Sequence, residues 1–208
     1  MSALPAQMNP HFLFNSLNSI DSYIIRNESK KASEYLNNFA RLIRLILQNS
    51  RTNYTSLKDE LETLDLYLQM ESLRFKDKFE FEISVAEGLD ASSINIPPML
   101  IQPYLENAIW HGLMHKDGGG GKVRVRVELA GDNLVCTVED NGVGRARAAE
   151  LNPRRSGKNR QSMGMKITED RIEILNKLYG ANTRVQVIDL YDDTGAGCGT
   201  RVVLTIPV

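Results

Sequence analysis

The sequence is poor in the residues that build cross-links and metal centres. It holds two cysteines, one tryptophan and three histidines in 208 residues. Cys136 and Cys198 have no CxxC spacing and are too few for a disulfide framework, which suits a reducing compartment. No His/Cys cluster has the spacing of a zinc site. Charge of one sign is also missing: 25 Lys and Arg stand against 26 Asp and Glu, a net charge of -1. That balance excludes the basic excess of a nucleic-acid binder and argues against a direct hold on an anionic membrane. No apolar run reaches the roughly 18 residues that span a bilayer. The start, Met1-Ser2-Ala3-Leu4-Pro5, lacks the basic opening and apolar stretch of a signal peptide. What remains is ordinary globular material, 42% hydrophobic and 25% charged, in a chain long enough for one or two domains.

Composition changes near residue 77. Before it, apolar residues keep helical spacing. Leu13, Leu17, Ile20 and Ile24 form one face, expected to be the buried one. Ala32, Tyr35, Leu36, Phe39, Leu42, Ile43, Ile46 and Leu47 form a second, and Leu57, Leu61, Leu64, Leu68 and Phe75 a third. Ser29 fits an N-cap for the second helix, and Ser56 with Asp59 fits one for the third. Residues 9–76 therefore read as three helices. Two of them can form a hairpin, whose thin core favours pairing with a second copy into a four-helix bundle.

After residue 77 the period becomes two. Strands are expected at 79–85, 123–129, 134–139, 185–190 and 200–206, with a hairpin turn at Gly131-Asp132-Asn133. Helices are expected at 98–114 and at 166–179, the latter stopped by Gly180. Gly118–Gly121 reads as a flexible loop, and residues 145–163 as a long, basic, unpatterned one. The fold class is α+β: an N-terminal helical dimerisation hairpin, residues 1–76, then an α/β sandwich, residues 77–208, with a mixed sheet and helices on one face.

On a helical wheel His11, Asn15, Asn18 and Ser22 fall within about 60° of one another, opposite the Leu13/Leu17 stripe. An accessible imidazole can act as a nucleophile near neutral pH, although spacing alone favours an incidental histidine on a solvated face. Asn107 and His111 share a helix edge, and an amide oxygen is a hard ligand that suits Mg²⁺. Asp140-Asn141-Gly142-Val143-Gly144 follows a strand. It reads either as turn chemistry or as backbone that lets a ligand come close.

The run Gln7-Met8-Asn9-Pro10-His11-Phe12-Leu13-Phe14-Asn15-Ser16-Leu17-Asn18-Ser19-Ile20 resembles the phospho-acceptor segment of the LytS/YehU-type sensor histidine kinases. The second half resembles the ATP-binding domain shared by gyrase, Hsp90, histidine kinases and MutL. Together the resemblances cover roughly residues 4–208. They imply that 1–76 is a dimerisation and histidine phosphotransfer region, that 77–208 binds ATP, and that His11 is autophosphorylated. Phe12 stands where many histidine kinases carry an acidic residue, so the motif names no proton acceptor.

The resemblance implies an ATP site in three pieces. In Glu106-Asn107-Ala108-Ile109-Trp110-His111-Gly112, Asn107 coordinates the Mg²⁺ of Mg·ATP and Glu106 supports it, directly or through water. His111 is a phosphate contact or a packing residue, and His115 is plain surface. In the second piece Asp140 accepts a hydrogen bond from the adenine amino group, and Gly142 and Gly144 let backbone approach the nucleotide. In the third, Ser162-Met163-Gly164-Met165 precedes a helix whose free N–H groups face phosphate. Many relatives carry Gly-x-Gly there, and Ser162 takes the earlier place. Arg154, Arg155, Lys158 and Arg160 read as a lid over the phosphates or as a solvated basic loop. Thr200, after Gly199, is implied to sit beside Asp140.

The expected function is a sensor histidine kinase core. It moves the γ-phosphoryl of ATP to His11 and then to an Asp of a response regulator, of the LytR type. The alternative is a nucleotide-binding scaffold without kinase activity. A hydrolase of the gyrase or Hsp90 kind is disfavoured, because those relatives place a water-activating Glu where Pro103 stands. No GxxxxGKS/T loop or HRD set points to other ATP folds. The expected partners are a second copy, a response regulator and, in a longer parent, an upstream sensor domain. Nucleic acid and direct membrane contact by this segment are not expected. The implied setting is a cytoplasmic piece of a bacterial membrane protein.

Overall fold

The computed structural model describes residues 10–49, 52–75, 78–151, 172–173, 176–177 and 182–208, with Pro10 and His11 by their backbone alone. In chain order the elements are α1 (Pro10–Ile25), α2 (Ser29–Asn49), β1 (Thr55–Ser56), α3 (Leu57–Arg74), β2 (Phe79–Val85), β3 (Asn95–Ile96), α4 (Gln102–Asn107), β4 (Gly121–Ala130), β5 (Asn133–Asp140), α5 (Gly144–Leu151), β6 (Arg184–Tyr191) and β7 (Gly197–Pro207). The described residues group into two compact units. One lies within Met1–Asp77 and Ala91–Met99, the other within Lys78–Asp90 and Leu100–Val208. After a first crossing near residue 77, residues 91–99 return to the helical unit.

In the helical unit, α1 opens on a proline, which has no N–H to satisfy there. It ends at Asn27, whose φ of 57° is the left-handed cap conformation. The Glu28 N–H donates to the Tyr23 carbonyl and the Asn27 N–H to the Ile24 carbonyl, both at 2.9 Å. Ser29 is the first residue of α2 rather than its cap, since the Ala32 N–H reaches the Glu28 carbonyl. At α3 the expected cap is present: Ser56 Oγ accepts from the Asp59 N–H at 3.0 Å. The antiparallel pair β1–β3 was not legible in the sequence. It lets the Leu57 and Lys58 N–H groups donate to the Ile94 and Ala91 carbonyls at 2.8 and 3.0 Å, meeting the first free donors of α3.

The helical core holds Phe12, Ser16 and Ile20 from α1, Tyr35, Leu42 and Ile46 from α2, and Leu64, Tyr67, Leu68 and Met70 from α3. The expected α1 stripe is corrected here. Of Leu13, Leu17, Ile20 and Ile24 only Ile20 is buried, while Leu17 is 51% and Ile24 59% exposed. Helix α1 carries apolar side chains on two overlapping faces. The inward face is set by Phe12, whose ring lies 5.2 Å from that of Tyr67. The packing is that of three helices rather than of a two-helix hairpin.

In the other unit five strands form one mixed sheet in the order β2-β4-β5-β7-β6, with β2 and β4 parallel and the other pairs antiparallel. The five expected strands are present, and four of them run slightly longer. Residues 131–132 join β4 to β5, with Gly131 at φ 62°. On one face Val123, Val125, Val127, Leu134, Cys136, Leu204 and Ile206 are buried. Helix α4, the residue before it and the turns after it bring Ile101, Leu105, Ile109 and Leu113 to the core. The other face carries a cross-strand charge ladder: Lys122 with Glu80, Arg124 with Glu82 and Glu139, and Arg201 with Glu139 at 2.6 Å.

Two helix expectations are corrected. The helix expected at 98–114 is α4 alone, followed by a widened π turn (Ala108–Gly112) and a tight turn (Leu113–His115). Residues 145–151, expected in a loop, belong to α5. Gly180 and most of the expected 166–179 helix lie outside the described residues. Ile172, Glu173, Asn176 and Lys177 within it are helical. No helix among the described residues is long and apolar enough to cross a membrane.

Candidate functional site

The site is built where β5 ends. Asp140 closes that strand and stands opposite Thr200 of β7 in the ladder. Asp140 is 4% exposed. The Gly142 N–H donates to Oδ1 at 2.8 Å. Burial pushes its pKa up to about 6, against the pull of the Gly142 and Thr200 backbones; Glu139 pushes it further up, and Lys116 draws it down. A carboxylate so placed is held at a cost to the fold, a mark of functional sites.

The π turn supplies the facing wall. The Leu113 N–H bonds back to the carbonyls of Ala108 and Ile109, and the widened turn sets Gly112 against Asp140. A Cβ on Gly112 would stand 2.6 Å from Asp140 Oδ1, and one on Gly142 would stand 2.4 Å from the Gly112 carbonyl carbon. The Val143 N–H donates to the Gly112 oxygen at 3.3 Å. The second and first motif pieces therefore meet backbone to backbone, which only glycine permits.

Asn141 braces this turn from behind. Its Oδ1 accepts from the Lys122 N–H at 2.6 Å, and its Nδ2 donates to the Gly120 carbonyl at 3.0 Å. Lys116 Nζ donates to the Asn141 carbonyl at 2.8 Å. The contributions of Asn141, Lys116 and Gly112 were missed at the sequence level. The glycine signal was visible in the motif, but its partner was not.

Asn107 ends α4 with its side chain exposed, and Glu106 beside it is half-buried and accepts from Gln102 Nε2 at 3.0 Å. His111 and His115 are half-buried, so His115 is less a surface residue than expected. The structure thus brings Gly112, Asp140, Gly142 and Thr200 together, with His111 on the turn that carries Gly112 and Asn107 just before it. Gly144 closes the same motif at φ 74°. Ser162, Gly164 and the basic cluster Arg154, Arg155, Lys158 and Arg160 lie outside the described residues. His11 lies in the first turn of α1, in the helical unit, and its side chain is outside the described part.

These residues fit the groups the sequence implied. A buried carboxylate with lone pairs to spare suits an exocyclic amine. Among the described residues no three His, Cys, Asp or Glu side chains gather into a cage. An exposed amide oxygen with a carboxylate beside it suits an ion that keeps its waters and rides on phosphates.

The chain is similar to several known proteins. The histidine kinase family model matches residues 1–79, and that of the histidine kinase-, DNA gyrase B- and HSP90-like ATPases matches residues 98–208. Sensor protein LytS of Staphylococcus haemolyticus is 36% identical over 144 residues, 69% of this chain and 24% of that protein. Sensor histidine kinase BtsS of Escherichia coli K12 is 36% identical over 138 residues, 66% of this chain and 24% of that protein. The chain spans about a quarter of the length of these relatives. Among solved structures, the Acinetobacter baumannii histidine kinase AdeS aligns with a TM-score of 0.46 at 16% identity, covering 95% of this chain and 97% of that one. The chain belongs to the histidine kinase-, DNA gyrase B- and HSP90-like ATPase family, with a histidine kinase segment ahead of the ATPase domain.

Proposed function

We propose that this chain is the catalytic core of a sensor histidine kinase, which phosphorylates its own His11 from Mg·ATP. The observation that carries the reading is Asp140, buried and turned toward the glycine-lined wall of Gly112 and Gly142. Asp140 accepts the adenine amino hydrogen, with Thr200 beside it. Gly142 and Gly144 let the turn close on Gly112 and Gly197 and so shape the backbone that meets the nucleotide, and Ser162 and Gly164 donate to phosphate. Asn107 holds Mg²⁺ through its amide oxygen, and Glu106 orients it. Mg²⁺ supplies charge neutralisation on the phosphates. Transfer of the γ-phosphoryl to the His11 imidazole forms a P–N bond as the bond to the β-phosphate oxygen breaks, and positioning does most of the work. The phosphoryl then passes to an Asp of a response regulator, of the LytR type.

The helical unit serves as the dimerisation and phosphotransfer region. Leu36, Ala40, Ile43 and Leu47 repeat at helical spacing along the outer side of α2, where Ala40, Ile43, Arg44, Leu47 and Gln48 line a groove of about 370 Å³. Leu17 and Ile24 leave a second apolar stripe uncovered on α1. A second copy is the proposed occupant. An upstream sensor domain in a longer, membrane-bound bacterial parent completes the reading, with this segment on the cytoplasmic side.

The test is incubation with γ-labelled ATP and Mg²⁺. The parent acquires acid-labile, alkali-stable label, and His11→Ala and Asn107→Ala do not. Label that persists in His11→Ala removes His11 as the acceptor.

A further inference from the structure

Residues opposite one another in antiparallel strands share a face. Asp140 of β5 faces Thr200 of β7, and Thr200 faces Asp189 of β6. The three form one row across the sheet, on the side where α5 packs on β7 and β6. One end of the row is the Asp140 carboxylate. At the other end Asp189 accepts two hydrogen bonds from Arg145, from Nε to Oδ1 at 2.5 Å and from Nη2 to Oδ2 at 2.6 Å. Both side chains are about two-thirds covered. Arg145 directly follows Gly144, the last residue of the Asp140-Asn141-Gly142-Val143-Gly144 turn, and is the second residue of α5. Gly144 lies with its backbone against Gly197, where an added Cβ would meet the Gly197 Cα at 3.2 Å. The entrance of the turn is thus held by Asn141 on Lys122 and Gly120, and its exit by Arg145 on Asp189.

We propose that the Arg145–Asp189 pair is a positioning clamp for the nucleotide site, holding the exit of that turn and the start of α5 at the spacing the adenine end requires. The inference rests on the nucleotide reading above and deepens it. A guanidinium fork fixes distance and angle together, which a single ammonium does not. A fastener that served the fold alone has no need to act on the residue next to Gly144. This one ties the nucleotide turn to the same row that holds Asp140.

The test uses the full 208-residue chain, with ATP affinity measured by calorimetry in Mg²⁺ and melting measured without nucleotide. Arg145→Ala and Asp189→Asn each weaken ATP binding by roughly three- to tenfold, as expected for a partly covered bidentate pair. The double variant binds no more weakly than the worse single one, because both remove the same contact. Arg145→Lys recovers part of the affinity, and the swap Arg145→Asp with Asp189→Arg recovers most of it. In autophosphorylation the ATP concentration at half-maximal rate rises more than the maximal rate falls. ATP affinity unchanged in Arg145→Ala and Asp189→Asn, while Asp140→Asn has lost it, overturns the clamp and leaves the nucleotide reading standing. Binding unchanged in Asp140→Asn overturns the nucleotide reading, and the clamp with it. Should the alanine variant not fold, Arg145→Lys carries the test by hydrogen exchange: amides 143–148 exchange faster than in the parent while those of β7 do not. Unchanged exchange there counts against the clamp.

Discussion

The two units treat buried carboxylates in opposite ways. In the helical unit Glu60 accepts the Met99 N–H at 2.9 Å, and Glu71 accepts from Arg74 at 2.9 Å with the whole glutamate side chain out of solvent. These carboxylates fasten segments: Glu60 ties residues 91–99 to α3. In the sheet unit Asp140 is held by its own turn and pushed up to about 6 by burial. Its backbone partners are Gly142 of that turn and Thr200 across the strand ladder. The contrast separates carboxylates that join segments from one whose burial raises its pKa.

The largest expected effect lies in the helical unit. Arg74→Ala leaves Glu71 buried without its ion-pair partner and removes a guanidinium set 4.2 Å over the Phe75 ring. We expect a loss of about 3–5 kcal/mol, read by denaturant melts. A loss under 1 kcal/mol would erase the distinction between the two carboxylates.

Asp140→Asn tests the other side, with opposite sign. The folded value of about 6 lies above the ordinary 3.8, so ionisation opposes folding. The stability from the neutral form is complete below 3.8 and is lost as the pH rises through about 6. Nucleotide-free Asp140→Asn should therefore match the parent near pH 4 and exceed it by about 2–3 kcal/mol above pH 7. The same variant should bind ATP about 10- to 150-fold more weakly, the cost of a lost charge-assisted hydrogen bond. A stability difference that is flat with pH would show that burial of the charge is not the cause.

A smaller effect on the fold, and a large one on assembly, is expected at the outer side of α2. Leu36→Asp and Leu47→Asp, both at exposed positions, should change protomer stability by no more than about 0.5 kcal/mol and yet leave the chain monomeric in light scattering. Leu42 is unsuited to the same test, because it is fully buried within the protomer. The smallest effect is expected on the open face of the sheet. Arg201→Ala, which breaks the 2.6 Å contact to Glu139, should cost less than about 1 kcal/mol and shrink further in high salt.

Much of the sheet unit was legible. Val123, Val125 and Val127 alternate with Lys122, Arg124 and Arg126, and only one register buries the valines. The helical unit was less so. In α1 the residues Phe12, Leu13, Phe14, Leu17, Ile20 and Ile24 spread over more than half of the helix circumference, so periodicity names an apolar side too broad to say which part of it turns inward. Of the candidate site, Asp140, Gly142 and Thr200 were found by motif, and the structure places them at one strand end. Gly112 as the wall against Asp140 was not found, because α4 gives way to a π turn that no residue pattern announces.

By itself the sequence determined the order of the first three helices and of the five strands of the larger sheet, the cap at Ser56, the hairpin at Gly131 and the residue types gathered around Asp140. These are local properties, set by side-chain periodicity and by the φ that one residue tolerates. Only the tertiary structure decided which side of α1 turns inward, that residues 91–99 return to α3, and that Arg145 meets Asp189 44 residues further on. Those outcomes depend on segments far apart in the chain coming into van der Waals and hydrogen-bonding range, and no local pattern encodes that distance.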